Sequence, residues 1–163
     1  MNEQSLKQNF AYDRLIHLWR TFCELHTLLY DLTCEEYANL LASDFDALEQ
    51  TVKHKEQLLI QIGNIEEERK LFIAEINQER IFENEILNIH DLIECLKQFE
   101  LEKSGQHLSK FNLLLVDIIE RIQAQNKKNQ IFLNRAMQNL KDIKNTFSGK
   151  KNYQTYTAHG TTK

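Results

Sequence analysis

Histidine, cysteine and closely spaced carboxylates are the side chains that most often bind metals or carry out catalysis. In this 163-residue sequence they form no pattern of that kind. The six histidines are His17, His26, His54, His90, His107 and His159, and they include no His-x-x-x-His pair suited to a metal. The sequence also contains no glycine-rich phosphate loop, nucleophile elbow or motif with paired catalytic carboxylates. We therefore expect no metal, no cofactor and no enzymatic activity.

Cys23 and His26 lie one helical turn apart, a separation that could bring a thiol beside a general base. A catalytic pair of this kind needs strands and loops to present it. A helical protein more simply buries the thiol in its core, beside a satisfied or exposed imidazole. The other cysteines, Cys34 and Cys95, form no Cys-x-x-Cys motif. We expect reduced, partly buried thiols, as in a cytosolic protein.

Two asparagines three residues apart open the segment NKKNQIFL (126–133) inside a helical pattern. The core positions of that helix, counted as heptads, are Ile119, Ile122, Asn126, Asn129, Leu133, Ala136, Leu140, Ile143 and Phe147. Asn126 and Asn129 therefore occupy consecutive positions of the seam that faces a partner helix. A polar residue on such a seam lowers stability but can determine register and partner choice. Two interpretations stay open: the asparagines pair with another helix of this chain, or they receive a helix from outside.

The elements that carry these residues are predicted to be helices throughout. Proline is absent and there are four glycines, whereas a sheet protein of this size needs many Gly- and Pro-containing turns. Apolar residues recur at steps of three and four. The pattern predicts an all-α fold with helices at about 3–31, 34–82, 86–100 and 106–147. These long antiparallel helices are expected to form a coiled-coil-like hairpin or three-helix bundle.

Three signals set the expected boundaries. Thr33-Cys-Glu-Glu36 fits a capping box, so we expect a helix to begin there. Lys103-Ser-Gly-Gln106 is the clearest internal break, and Ser148-Gly149 is expected to end the last helix. The prediction is a helical body over residues 1–149 and a flexible basic tail over residues 150–163.

Charge is distributed unevenly along the chain. Residues 1–120 carry 11 Lys/Arg and 23 Asp/Glu, whereas residues 121–163 carry 9 Lys/Arg and one Asp. The basic end indicates either internal complementarity or an acidic partner. No nucleic-acid motif accompanies it, so nucleic-acid binding is a minor alternative. The longest apolar run, Leu113–Val116, is far shorter than the roughly 20 residues of a spanning helix, so we expect no membrane insertion.

Three features in order resemble the FlgN family of flagellar type III export chaperones. The first is an acidic N-terminal half of long helices with the stretch DFDALEQTVKHKEQLLIQIGNIEEER (44–69). The second is the Asn-x-x-Asn of NKKNQIFL in the last long helix, and the third is the Tyr-x-x-x-Gly of TYTAHGTT near the C-terminus. Each motif alone is weak, whereas their order and distances from the C-terminus form a fairly specific signature. The resemblance spans most of the chain.

The resemblance implies a cytosolic chaperone that binds the C-terminal helical segment of hook-associated proteins. The implied client-binding residues are Asn126, Asn129, Leu133, Met137 and Leu140. It also implies docking to the membrane export gate through the tail, with candidates Tyr153, Tyr156 and Gly160. The alternative from another functional class is a structural coiled-coil subunit without a client. A homodimer is compatible with either role, because a wide seam can close on a second copy.

Overall fold

The computed structural model describes the backbone of residues 2–102, 105 and 107–158, and their side chains except those of 98 and 149–158. This part of the chain contains four helices and no strand: α1 (Glu3–Ala42), α2 (Phe45–Gln78), α3 (Ile89–Glu102) and α4 (His107–Ala158). The prediction of an all-α fold built from long helices is confirmed. The chain divides into two compact units, Met1–Gln125 and Asn126–Lys163, and α4 contributes to both.

Helix α1 is longer than predicted, and the expected boundary at residue 33 is wrong. The Thr33 hydroxyl donates to the carbonyl oxygen of Leu29, 2.7 Å away inside the helix, so it does not cap a new one. The chain turns ten residues later, where Ser43 adopts a left-handed conformation with φ 55°. Asp44 then caps α2, since its side chain accepts a hydrogen bond from the Ala47 N–H at 3.1 Å.

Cross-helix ion pairs show that α1 and α2 form an antiparallel hairpin. Near the turn, Lys55 Nζ lies 2.9 Å from a carboxylate oxygen of Glu36, and both side chains are largely buried. At the opposite end, Lys7 Nζ lies 3.7 Å from a carboxylate oxygen of Glu79. Residues late in α1 thus meet residues early in α2, and the reverse holds at the other end. This confirms the antiparallel arrangement.

The main hydrophobic core lies at the open end of this hairpin. Its members recur at steps of three and four along α1 and α2, which is the spacing that places side chains on one helical face. They are Ala11, Tyr12, Leu15, Leu18 and Trp19 of α1, Phe72 and Ile76 of α2, Ile81, Phe82 and Ile86 of the linker, Leu92 and Leu96 of α3, and Leu108 of α4. Full burial of an aliphatic or aromatic side chain contributes about 1.5–3 kcal/mol, so this cluster is a major source of stability.

The linker between α2 and α3 is irregular and longer than predicted. The expected helix end at residue 82 and the expected helix start at residue 86 were too close together. Helix α2 ends at Gln78, not 82, and Arg80 follows with φ 50°. The Asn77 side-chain amide then exchanges two hydrogen bonds with the backbone of Ile86, at 2.8 and 2.9 Å. Helix α3 begins late because the Asn88 side chain caps it, accepting from the Asp91 N–H at 3.0 Å.

Residues 107–125 of α4 run beside α1 in the same direction. Cys23 Sγ donates to the Phe111 carbonyl oxygen at 3.3 Å, and Trp19 Nε1 donates to Asn112 Oδ1 at 3.3 Å. Farther along both helices, a second buried cluster joins Cys23 and Leu29 of α1, Leu58 of α2, and Ile118 and Ile122 of α4. The unit Met1–Gln125 is therefore a bundle in which α1, α2 and α4 supply the long helices.

A buried carboxylate joins three elements of this unit. Glu100, at the end of α3, accepts hydrogen bonds from the Tyr12 hydroxyl at 3.3 Å and from the Leu108 N–H at 2.8 Å. The second bond satisfies one of the N–H groups that the first turn of α4 leaves unpaired. Burial, reinforced by the Glu100 charge, raises the pKa of Tyr12 to about 12.

The unit Asn126–Lys163 contains the rest of α4. The helix continues through Gly149 to Ala158, so the predicted helix end at residue 147 is wrong. A glycine ends a helix when it adopts a positive φ, and none of the described glycines does so. Within a helix a glycine costs about 1 kcal/mol relative to alanine, which a long helix tolerates. Residues 159–163, the end of the predicted flexible tail, lie outside the described residues.

Candidate functional site

The two asparagines of NKKNQIFL share one face of α4 but differ in exposure. Asn126 is exposed, whereas the Asn129 side chain is only 2% exposed. Both have interaction partners within the chain. A buried amide must be hydrogen-bonded to be tolerated, so Asn129 is a structural residue of the free chain. The asparagines therefore do not present one continuous polar surface to an external helix.

An exposed apolar stripe follows Asn129 on the same face. Leu133, Met137 and Leu140 follow one another at steps of four and three, and they are 36%, 67% and 66% exposed. Ile143 and Phe147 extend the row by about two more turns and are 52% and 64% exposed. We call these five residues the apolar stripe. Side chains at such spacing form a single contact surface along a helix.

The stripe contains all three apolar residues that the sequence assigned to client binding. It also contains Ile143 and Phe147, which the seam count identified as core positions of the helix but did not assign to the site. The signal that could have included them is the uninterrupted heptad pattern. Hydrophobicity alone does not distinguish a seam position that is buried within the chain from one that stays open.

Positive charge borders one edge of this stripe. Lys141 and Lys144 are exposed and lie one turn from Met137 and Leu140, respectively. On the other side of the helix, Asp142 accepts a hydrogen bond from the Gln138 side chain at 3.0 Å. The site thus combines an apolar row with a basic border.

The tail residues assigned to gate docking fall at the limit of the structure. The backbone of Tyr153 and Tyr156 belongs to α4. Their side chains, and all of Gly160, lie outside the described residues. The assignment of these three residues stays a prediction.

The Cys23–His26 pair is not arranged as a nucleophile and a base. The thiol donates to the Phe111 carbonyl oxygen, and His26 Nδ1 donates to the Phe22 carbonyl oxygen at 2.7 Å. Burial raises the pKa of the Cys23 thiol, which disfavours the reactive thiolate. Both groups are thus engaged with backbone carbonyls. Across the described residues, no group of His, Cys, Asp and Glu side chains could hold a metal ion.

One of the cavities in the unit Met1–Gln125 has mostly apolar walls and is the alternative site to consider. Its volume is about 390 Å³, and its apolar walls include Trp19, Phe22, Ile62, Leu115 and Ile119. Its polar lining is already paired: Arg69 Nε donates to Glu66 at 2.9 Å, and Asn112 accepts from Trp19. A cavity with this lining offers apolar contact but no unpaired charge for recognising a ligand.

None of the described helices is long and apolar enough to cross a membrane.

Comparison with protein families shows that a family model described as FlgN protein matches residues 1–163, the whole chain. Neither a comparison with curated proteins nor one with solved structures gives a match. The family match agrees with the long-helix fold and with the resemblance of the three sequence motifs. The chain belongs to the FlgN family, which is a family of flagellar export chaperones and not of enzymes.

Proposed function

We propose that this protein is a cytoplasmic export chaperone that binds the C-terminal helical segment of flagellar hook-associated proteins. In this role it prevents their premature assembly or aggregation and delivers them to the flagellar export gate. The observation that carries the proposal is the apolar stripe of α4. Five large apolar side chains in one row are more than scattered surface exposure requires, and such rows mark interaction surfaces.

The length of the stripe suits a helical client. From Leu133 to Phe147 an α-helix rises about 20 Å at roughly 1.5 Å per residue, which is about four turns. An amphipathic segment of similar length could pack its own apolar row against it, as helices do in grooves and coiled coils. Such a segment cannot bury its apolar row before assembly, so covering it prevents aggregation.

The conformational entropy that the client loses on binding favours its release at the gate. A segment that becomes helical on binding loses conformational entropy, which lowers its affinity for a given contact area. Met137 adds adaptability, because an unbranched thioether side chain packs against many shapes. A chaperone needs both properties, since it must hold its client and then hand it over.

The gate interaction is assigned to the C-terminal residues Tyr153, Tyr156 and Gly160. Tyrosine has an apolar ring and a polar hydroxyl, and such side chains are enriched at protein interfaces. We propose that Tyr156 contacts the gate and that Tyr153 is a second contact. Replacing Tyr156 by alanine should reduce export and leave client binding unchanged. Equal loss of both functions would contradict this division of roles.

The proposal is tested by measuring affinity for the C-terminal segment of a hook-associated protein from the same cell. Leu140 is 66% exposed, so most of its burial free energy is still available to a partner. Replacing Leu140 by alanine should remove about 1–2 kcal/mol, a 5- to 30-fold loss of affinity. Leu71 of α2 is 71% exposed and serves as a matched control. Leu71→Ala should leave the affinity unchanged.

A structural coiled-coil subunit without a client is the alternative, and the same experiment separates the two. A structural subunit would not bind the hook-associated segment at all. It would instead associate with itself through the stripe, so that Leu140→Ala would shift its mass in analytical ultracentrifugation. A client-binding chaperone is expected to keep the same mass in both forms.

A further inference from the structure

The charged side chains around the apolar stripe are almost all of one sign. Between residues 126 and 148 the chain carries five basic side chains, Lys127, Lys128, Arg135, Lys141 and Lys144, and the single acidic side chain of Asp142. All five basic side chains are exposed. A partner that lies along this helix therefore meets a positive surface.

Two of these cations border the stripe itself. Lys144 lies four residues after Leu140 and three before Phe147, so it is their neighbour on the helical surface. Lys141 lies four residues after Met137. By contrast, Arg135 is two residues from both Leu133 and Met137 and thus lies on the opposite side of the helix.

We infer that the segment bound by the stripe is an amphipathic helix whose apolar row is bordered by acidic residues. This inference rests on the proposed function and specifies the chemistry of its client. A helix packed on the stripe brings its flanking positions close to Lys144, which is at the e position of this heptad pattern, and to Lys141 one turn earlier on the same edge. Carboxylates at those positions would pair with both lysines, and lysines there would be repelled.

The same charges argue against a second copy of the chain as the occupant. Because Lys141 and Lys144 share one edge of the stripe, two stripes packed antiparallel would bring the lysine borders of both copies together. Like charges placed opposite each other at an interface disfavour association. The acidic helix is therefore the occupant that matches both the apolar row and its border.

Two designed peptides provide the direct test on the full-length protein. Both are 18 residues long with the same leucine heptads, and they differ only in carrying Glu or Lys at the flanking positions. Each exposed ion pair changes affinity by about 1.4- to 5-fold. With two lysines attracted in one case and repelled in the other, four such factors multiply, so the Glu peptide should bind at least about fourfold more tightly. Equal affinities would overturn the inference.

Charge reversal in the protein supplies the matched control. The Lys141→Glu/Lys144→Glu variant should lose the preference for the Glu peptide and bind the Lys peptide more tightly. Lys128→Glu/Arg135→Glu changes the net charge equally, but these two residues lie one heptad apart on the far side of the helix, so the preference should persist. If both variants lose the preference for the Glu peptide to the same degree, the net charge of the protein determines that preference and the position of the lysines does not. The inference then fails.

The natural client distinguishes failure of this inference from failure of the proposed function. If the hook-associated segment binds and depends on Leu140, but its affinity is unchanged between low and high salt, the function stands and the acidic border is wrong. If that segment does not bind at all, the proposed function fails. Binding of the protein to vesicles of anionic phospholipid, with no preference between the two peptides, would assign the basic border to a membrane surface and also overturn the inference.

Discussion

The clearest prediction concerns the two asparagines, because the structure separates residues that the heptad count treated alike. We compare Asn129→Ala with Asn126→Ala in the full chain. Alanine is a better helix former than asparagine, and this advantage is the same for both substitutions. It cancels in the comparison, so the difference between the variants reports the surroundings of the two side chains.

The expected magnitude follows from burial. Asn129 is 2% exposed and has an interaction partner, so replacing its amide by a methyl group removes that interaction at a buried position. This costs about 1–3 kcal/mol. Asn126 is exposed, and water replaces whatever hydrogen bond its substitution removes. Asn129→Ala should therefore be less stable than Asn126→Ala by about 1–3 kcal/mol.

Urea denaturation followed by far-UV circular dichroism measures this difference. With a denaturant slope of roughly 2 kcal/mol per molar, the midpoints of the two variants should differ by about 0.5–1.5 M. A second pair, Asn134→Ala and Asn139→Ala, controls for exposed asparagines of the same helix and should behave like Asn126→Ala. Midpoints that agree within about 0.2 M would show that the burial of Asn129 contributes nothing to stability, and our reasoning would be wrong.

Three further predictions address the unit Met1–Gln125. Gly63→Ala should stabilise α2 by about 0.5–1 kcal/mol and raise the melting temperature by about 1–4 °C, because an added Cβ meets nothing within 4 Å. Glu100→Ala should lower the free energy of unfolding by about 1–3 kcal/mol, because two buried donors lose their acceptor; Glu100→Gln, which keeps an acceptor, should lose less. The Tyr12 pKa is raised to about 12, so its hydroxyl stabilises the fold below pH 10 and this contribution is lost as the pH rises from 10 to 12. When the free energy of unfolding is measured against pH, Tyr12→Phe should lack this part of the decrease between pH 10 and 12. An unchanged decrease would contradict this role of the Tyr12 hydroxyl.

The sequence predicted the helices better than their ends. Steps of three and four in the apolar residues were enough to predict an all-α bundle, since only a helix places those residues on one face. Thr33 misled the boundary assignment because threonine can either cap a helix or donate to a carbonyl within it. The true cap, Asp44, had no distinguishing neighbours. Its role depends on Ser43 adopting a left-handed conformation, which is rarely signalled by serine.

The linker between α2 and α3 was beyond sequence reasoning for a different reason. Ile81 and Ile86 are buried, but steps of five from Ile76 to Ile81 and from Ile81 to Ile86 break the helical period. Their burial is achieved in an irregular segment that the Asn77 side chain holds through two backbone hydrogen bonds. Asn77 and Ile86 are nine residues apart, and a hydrogen bond between an amide side chain and the backbone leaves no periodic pattern in the sequence.

The candidate site shows the same limit more sharply. Leu18 of α1 and Leu140 of α4 occupy equivalent positions in their apolar patterns, yet they are 2% and 66% exposed. Periodicity indicates that a side chain needs a partner, but it does not say whether the chain itself supplies that partner. Asn129 and Met137 share one helix and differ in the same way, since they are 2% and 67% exposed.

This difference has an energetic consequence for the helix that carries the stripe. A helix gains most of its stability from packing its apolar face, and the five side chains of the apolar stripe remain more than one-third exposed. The helix is maintained here by propagation from the packed part of α4, since nucleation is the costly step and that step is already complete. A client that covers the stripe adds the missing packing energy, so we expect it to protect the amides of residues 133–147 from hydrogen exchange. Leu140→Ala should weaken this protection together with affinity, and protection that is unaffected by the client would place the binding surface elsewhere.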